Sequence, residues 1–410
     1  MTPAARDAHS RDRRRVLMLS PFASPNRGGV ETHIDALIAA LARRNTRVTL
    51  LTHQPLVAPV KAPSREPLPN GEVIRIPWFG KGWHPRIEPY APLVFAYLVP
   101  GLLAGAIRHR IRHSDGFDVI HAHGLSAAVA ALGMRWTGAR QPIVVSMHAI
   151  YELRQRRVLA QAVRSLLGRA DRVLTVSEAS RQELVAIGLD PARVTAHQHW
   201  VDLEVFRPRS QVEARAKLGW PESAPTCLFV GRLLRKKGVG IILDLARRLP
   251  NVQFRMLGAE GDMGTEVAEA STALPNLTLM QDPAGPPAER LDTIATMYAA
   301  ADLLLVPSQY EEAAGIVVLE GSAAGTPIVA SNLGGLREAV TPEIGRLVEP
   351  GTEAFMAGLQ DMLADRAGLC ALRERARAEA ERRFSERNVD VIVRQYGFDA
   401  DNGGASGNDA

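Results

Sequence analysis

The sequence predicts an α/β protein built as two doubly wound, Rossmann-like domains. Three observations lead there. At 410 residues the chain can enclose two hydrophobic cores. Short apolar runs of strand length alternate with stretches of helical periodicity through both halves. Glycines, charges and histidines gather just past the ends of those runs, where open α/β sheets bind ligands.

The polar, arginine-rich residues 1–13 are expected to be a disordered leader. The first domain is assigned to 14–205. Val16–Ser20 reads as its first strand, Pro21–Gly29 as a loop, Val30–Leu41 as a helix and Val48–Thr52 as a strand. A Pro-rich loop, Pro55–Pro69, precedes a strand at Val73–Pro77. Ala91–Ile107 is an uncharged run of seventeen residues, whereas a membrane span needs about 20. Pro92, Pro100, Gly101 and Gly105 interrupt it, so 91–113 reads as a domain helix with a basic end. Its character suits a peripheral contact with an anionic membrane, and equally a buried helix that never meets lipid. Strands follow at Phe117–His123, Ile143–His148, Asp171–Ser177 and Val194–Val201, with a helix capped at Ser177 and Glu178.

Residues 206–225 contain three prolines and no clear strand, so they read as the linker. The second domain is assigned to 226–384. It opens with the strand Thr226–Val230 and the helix Val239–Leu249. Strands at Val252–Leu257 and Leu277–Met280 follow, then a loop with Pro283, Pro286 and Pro287, strands at Leu303–Val306 and Pro327–Ser331, an edge strand at Gly345–Glu349 and a helical, charged stretch at Phe355–Phe384. A helix at Glu386–Tyr396, within 385–398, is expected to cross back to the first domain. Residues 399–410 are expected to be a disordered tail.

The net charge of +5 is unevenly spread. Residues 1–205 hold 27 Lys/Arg against 16 Asp/Glu, while 206–410 hold 22 against 28. A basic half suits an anionic partner, either a membrane surface or a charged acceptor. A solvated arginine-rich surface accounts for it about as well. Only Cys227 and Cys370 occur, which excludes a disulfide framework and suits a reducing, cytoplasmic setting. Asp399 and Asp401 form an Asp-x-Asp pair, but in the tail. No metal cofactor and no nucleic-acid partner are expected.

The chemistry concentrates in Leu303–Glu338. An apolar strand ends at Pro307-Ser308, Glu311 and Glu312 follow, and Gly315 opens a helix containing Glu320. Gly315 permits close approach of a ligand to the backbone. With Ala314 and Ile316 it presents the helix N-terminus as an anion site. The carboxylates Glu312 and Glu320 can only accept hydrogen bonds, so hydroxyls of a sugar or ribose are their natural partners. A sugar joined to a nucleotide diphosphate satisfies both features. Earlier in this domain, Arg232 follows a strand and Lys237 precedes a helix, so both can aim cationic donors at one anion. In the first domain, Gly28 and Gly29 stand at a helix start after the first strand. His148 ends the strand Ile143–His148, and His121 and His123 lie on DVIHAHG. A strand-end histidine is more often structural than catalytic.

Glu312–Glu320 resembles the Glu-x7-Glu signature of retaining GT-B glycosyltransferases of the family 4 type. Gly325-Thr326-Pro327-Ile328-Val329-Ala330, Gly334-Gly335, Gly-Arg with Lys-Gly at 231–238, and Gly-Gly-Val-Glu-Thr-His at 28–33 are also similar to that family. The chain has Ala313-Ala314-Gly315 where members usually have Pro-Phe-Gly or Gly-Phe-Gly. Glu311-Glu312 offers two registers, and counting back from Gly315 and Glu320 selects Glu312. The resemblance spans roughly 16–396.

It implies two Rossmann-like domains facing a central cleft. It implies retaining, metal-independent hexosyl transfer from a nucleotide-diphosphate sugar to a glycan, lipid-linked or small-molecule acceptor. Arg232 and Lys237 would clamp the diphosphate beside Gly28 and Gly29, Glu312 and His148 would meet the sugar, and Glu320 the ribose. His121 and His123 are second choices to His148. A sugar-nucleotide epimerase of the same fold and a non-catalytic nucleotide-sugar or glycan-binding module are the alternatives.

Overall fold

The computed structural model describes residues 14–26, 28–56, 61–78, 83–87, 90–112, 116–259, 261–283 and 285–398. The expected leader and tail lie outside them. The described residues divide into two compact units. One lies within Met1–Val176, Ser180–His197 and Val389–Ala410, the other within Ser177–Ala179 and Gln198–Asn388.

The first unit holds β1 (Arg15–Leu19), β2 (Arg47–His53), β3 (Arg65–Leu68), β4 (Gly71–Ile76), β5 (Val119–His123), β6 (Ile143–Met147), β7 (Arg172–Thr175) and β8 (Val194–Ala196). They form one sheet in the order β3-β4-β2-β1-β5-β6-β7-β8. All neighbours are parallel except β3, which pairs antiparallel with β4. That edge strand lies in the segment expected to be a Pro-rich loop. Pro67 is tolerated because an edge strand need not donate on both sides.

The helix Ala91–Arg112 runs through Pro100. By length and composition Pro92–Arg112 could cross a membrane. Its Tyr97, Leu98, Leu102 and Ala106 are nonetheless buried. Gly101 and Gly105, read from sequence as interruptions, are contact points: a Cβ on Gly101 would come 2.6 Å from Trp78, and one on Gly105 2.2 Å from Ile76. Small residues here let the helix lie close on the sheet.

The second unit holds β9 (Thr226–Arg232), β10 (Gln253–Ala259), β11 (Leu277–Met280), β12 (Leu303–Val306), β13 (Ile328–Ser331) and β14 (Gly345–Val348), all parallel, in the order β11-β10-β9-β12-β13-β14. This is the doubly wound order of a dinucleotide-binding sheet. Helices cover both faces, which explains the continuous apolar strands. Leu228, Leu304 and Ile328 join one core layer, and Cys227, Phe229, Leu303 and Leu305 the other.

Two further expectations change in the second unit. Residues 211–218, inside the expected linker, form a helix whose Arg215 bonds Asp302 at 2.7 Å, so the segment belongs to the second unit. The Pro-rich loop after β11 turns at Pro287 into a helix, Pro287–Ala300, because proline fits the first helical position. The charged stretch near the C-terminus is two helices, Thr352–Ala364 and Arg366–Arg383.

Candidate active site

In the second unit the strand order turns between β9 and β12, and open α/β sheets bind ligands outside the carboxyl ends of strands at such a switch point. Arg232 is the last residue of β9. A short turn, Arg235–Lys237, leads to Gly238 at φ 75°, the N-cap of the helix Val239–Arg248. A Cβ on Gly238 would sit 1.8 Å from the Pro307 carbonyl oxygen. Only glycine lets this turn press on the end of β12, and that contact delivers Lys237 to the loop after β12.

There Lys237 Nζ lies 2.8 Å from Glu312 Oε1, and the Ser308 hydroxyl donates to the same oxygen. The Glu312 side chain is 7% exposed and that of Lys237 25%. Lys237 Nζ also stands 5.2 Å from the Tyr310 ring centroid, with Lys236 Nζ at 5.1 Å. Burial alone would depress the Lys237 pKa, but Glu312 and Tyr310 outweigh it and raise it. Burial, then Glu312, pushes the Tyr310 phenol up, while Lys237 and Arg232 pull it back. Arg232, Lys237 and Glu312 thus share one electrostatic neighbourhood. Of the two glutamates, Glu312 is the one buried against Lys237. Its carbonyl accepts from the Gly335 N–H at 2.6 Å, so the Gly334-Gly335 turn fastens the loop.

Gly315 adopts φ 66°, ψ 63° and caps the helix Ile316–Ala323. This left-handed conformation, natural to glycine, turns the chain from the Glu312 loop into a helix with no side-chain cap at its N-terminus. Ala314 and Ile316 flank it, half-buried. One turn on, Glu320 Oε2 accepts from the Tyr298 hydroxyl at 2.7 Å. Burial pushes the Glu320 carboxyl up to about 7, against the opposing pull of Tyr298 and Arg290. Tyr298, Tyr310, Ser308 and Arg290 had no sequence signal. They stand at ordinary helix and loop positions, and only the packing brings them to the carboxylates.

In the first unit the strand order turns between β1 and β5. Gly28 and Gly29, both exposed, begin the helix Gly29–Arg43 after β1, and the Thr32 hydroxyl donates to the Gly28 carbonyl at 3.0 Å. His148 follows β6, and its Nε2 lies 3.0 Å from His123 Nδ1, with the rings stacked at 5.2 Å. Burial first, then His197, lowers the His148 pKa to about 3, so the imidazole is neutral.

His121 takes a different part. Its Nδ1 meets the Tyr396 hydroxyl at 2.7 Å and its Nε2 meets Ser146 Oγ at 2.7 Å. It fastens the C-terminal segment after the helix Val389–Gln395 to the first unit. Arg232, Lys237 and Glu312 therefore cluster in the second unit, to which Ala314, Gly315, Ile316 and Glu320 also belong, while Gly28, Gly29 and His148 belong to the first.

Comparison with known proteins bears on the family and the fold. Residues 210–383 match the family described as Glycosyl transferases group 1, and residues 27–205 match Glycosyltransferase Family 4. A D-inositol 3-phosphate glycosyltransferase of Mycobacterium avium is 31% identical over 418 residues, covering 93% of this chain and 93% of that protein. Among solved structures, sucrose-phosphate synthase from Thermosynechococcus elongatus superposes with a TM-score of 0.79 at 23% identity, covering 93% of this chain and 98% of that one. HepE of Anabaena, in complex with UDP and glucose, superposes at 0.72 with 20% identity, covering 93% and 98%. Both structural likenesses speak for the fold, which is GT-B.

Proposed function

Because the chain belongs to the group 1, family 4 glycosyltransferases, we propose that it transfers a hexose-type sugar from a nucleotide-diphosphate donor to an acceptor hydroxyl with retention of configuration. The observation that carries this is the Lys237–Glu312 pair set beside Arg232 and the Gly315 helix start. Negative charge grows on the departing diphosphate. Preorganised cations and helix N–H groups lower the barrier where that charge develops.

An ammonium has three donors, so Lys237 can keep Glu312 and still reach a phosphate oxygen. Lys237 and Ser308 both bind Glu312 Oε1, which leaves Oε2 for a sugar hydroxyl. Glu320, held by Tyr298, takes the ribose hydroxyls. Gly28 and Gly29 lie beside the diphosphate, and His148 lines the sugar. No carboxylate attacks the sugar: the acceptor enters on the face the diphosphate leaves, and a diphosphate oxygen assists its deprotonation.

Arg232 and Lys237 supply the positive charge that a divalent ion would otherwise bring, so transfer proceeds without a metal cofactor. Activity should survive excess EDTA, and a loss restored by Mg²⁺ would refute this. The relatives named for D-inositol 3-phosphate make a phosphorylated small polyol the first acceptor class to try. The basic balance of residues 1–205 fits such an anion. Free Cys227 and Cys370 fit a reducing cytoplasm.

The test is release of nucleotide diphosphate from UDP-, GDP- and ADP-sugars with and without acceptor, followed by the anomeric coupling constant of the product. Acceptor-dependent release giving the donor's anomeric configuration is expected. An inverted product would refute retention. Donor isomerisation without acceptor would move the reaction class to epimerase, and no turnover of any donor would leave a binding module.

A further inference from the structure

The first unit holds a histidine cluster of which the proposed function uses only His148. His33 lies on the helix Gly29–Arg43, His123 ends β5, and His148 follows the adjacent strand β6. One ring nitrogen from each lies within 4.8 Å of the other two. His33 and His123 are buried and His148 half-buried. The ring centroids of His33 and His148 are 5.2 Å apart, and those of His33 and His123 6.0 Å. His121 and His197 wall the group, at 4.2 Å from His123 and 5.8 Å from His33.

We infer that His33, His123 and His148 form a binding site for a transition-metal ion of the zinc type, with a fourth position open to water. Imidazole nitrogens suit Zn²⁺, Co²⁺, Ni²⁺ and Cu²⁺, whereas Mg²⁺ prefers oxygen ligands. Zinc–nitrogen bonds of about 2.0–2.1 Å place tetrahedral ligands about 3.3 Å apart. His123 Nδ1 and His148 Nε2 are already 3.0 Å apart, so closure falls mainly to His33. The three ligands come from a helix, a strand and the residue just past the neighbouring strand, so regular elements hold the site.

Occupation would draw His148 away from the donor sugar. Zinc should therefore inhibit transfer while Mg²⁺ does not. That consequence rests on the role proposed for His148; metal uptake does not.

The test uses the full chain without a polyhistidine tag, stripped with chelator and dialysed against Zn²⁺ or Co²⁺. One ion per chain is expected, with a visible ligand-field spectrum of four-coordinate Co²⁺ and zinc-edge X-ray absorption showing imidazole and no sulfur. His33→Ala and His123→Ala should each weaken zinc binding by more than the roughly 10–100-fold that follows loss of a partner merely orienting a ligand. Cys370→Ser should change nothing. Absence of stoichiometric uptake, a sulfur ligand, or uptake unchanged in both histidine variants would overturn the site. Should those variants fail to fold, the two spectra of the unaltered chain decide. Uptake without inhibition would uphold the site and unseat the role given to His148.

Discussion

Lys237→Ala removes the cation on which the proposed chemistry most depends. Lys237 Nζ and Glu312 Oε1 are 2.8 Å apart, with the carboxylate side chain 7% exposed. At an effective dielectric constant of about 20, that distance corresponds to roughly 6 kcal/mol of attraction. Desolvation offsets much of it, and Lys237 keeps some contact with water, which screens the pair further. What remains is the net worth of a charge-assisted hydrogen bond, about 1.5–3 kcal/mol. If Lys237 spends a similar amount on the departing diphosphate, kcat/KM should fall about 10-fold to 150-fold.

The assay is continuous detection of released nucleotide diphosphate under acceptor saturation. Lys237→Arg should recover only part of the loss, since a planar guanidinium does not reproduce a compact ammonium. In a double-mutant cycle with Glu312→Gln the two effects should fall short of adding, because the residues are in contact. A kcat/KM within about twofold of the unaltered enzyme, below 0.5 kcal/mol, would refute the clamp. Full additivity would refute the pairing as a working unit.

Glu320 gives a pH signature. Its carboxyl is held up to about 7 against an ordinary 4.5, so between these values the folded chain binds more protons than the unfolded one. Unliganded stability should therefore fall as pH rises through that window. Donor binding should run the opposite way, because ribose hydroxyls need the ionised carboxylate. Donor KM should drop between pH 6 and 8, and Glu320→Gln should flatten the profile; an unchanged profile in that variant would exclude Glu320. Gly238→Ala places a Cβ 1.8 Å from the Pro307 carbonyl at φ 75°. The left-handed backbone alone costs about 1–2 kcal/mol, so both the melting temperature and activity should fall. Equal melting temperatures would show that the turn can relax. Tyr396→Phe leaves buried His121 without its 2.7 Å partner, worth about 1–3 kcal/mol. Limited proteolysis should release the C-terminal segment faster, and an unchanged cleavage rate would argue against His121 as its fastening.

The two doubly wound domains were legible in the sequence because buried parallel strands write themselves as apolar runs, and glycine marks where the backbone must turn sharply. The choice of Glu312 over Glu311 rested on the family resemblance, whereas Leu303–Val306 and the Gly315 turn follow from such local rules. The edge strand Arg65–Leu68 and the helix Pro287–Ala300 did not, since their prolines read as breakers until edge position and helix start made them admissible. The histidines show the limit most clearly. His121, His123 and His148 are similar strand-end residues in sequence, yet His121 is spoken for by Tyr396, 275 positions away, while His123 and His148 face each other. Lys237 and Glu312 are likewise 75 positions apart. Local sequence sets which residues can accept, donate or turn. Which of them meet depends on strand order and on a close approach such as Gly238 against Pro307, quantities that exist only once the chain is folded.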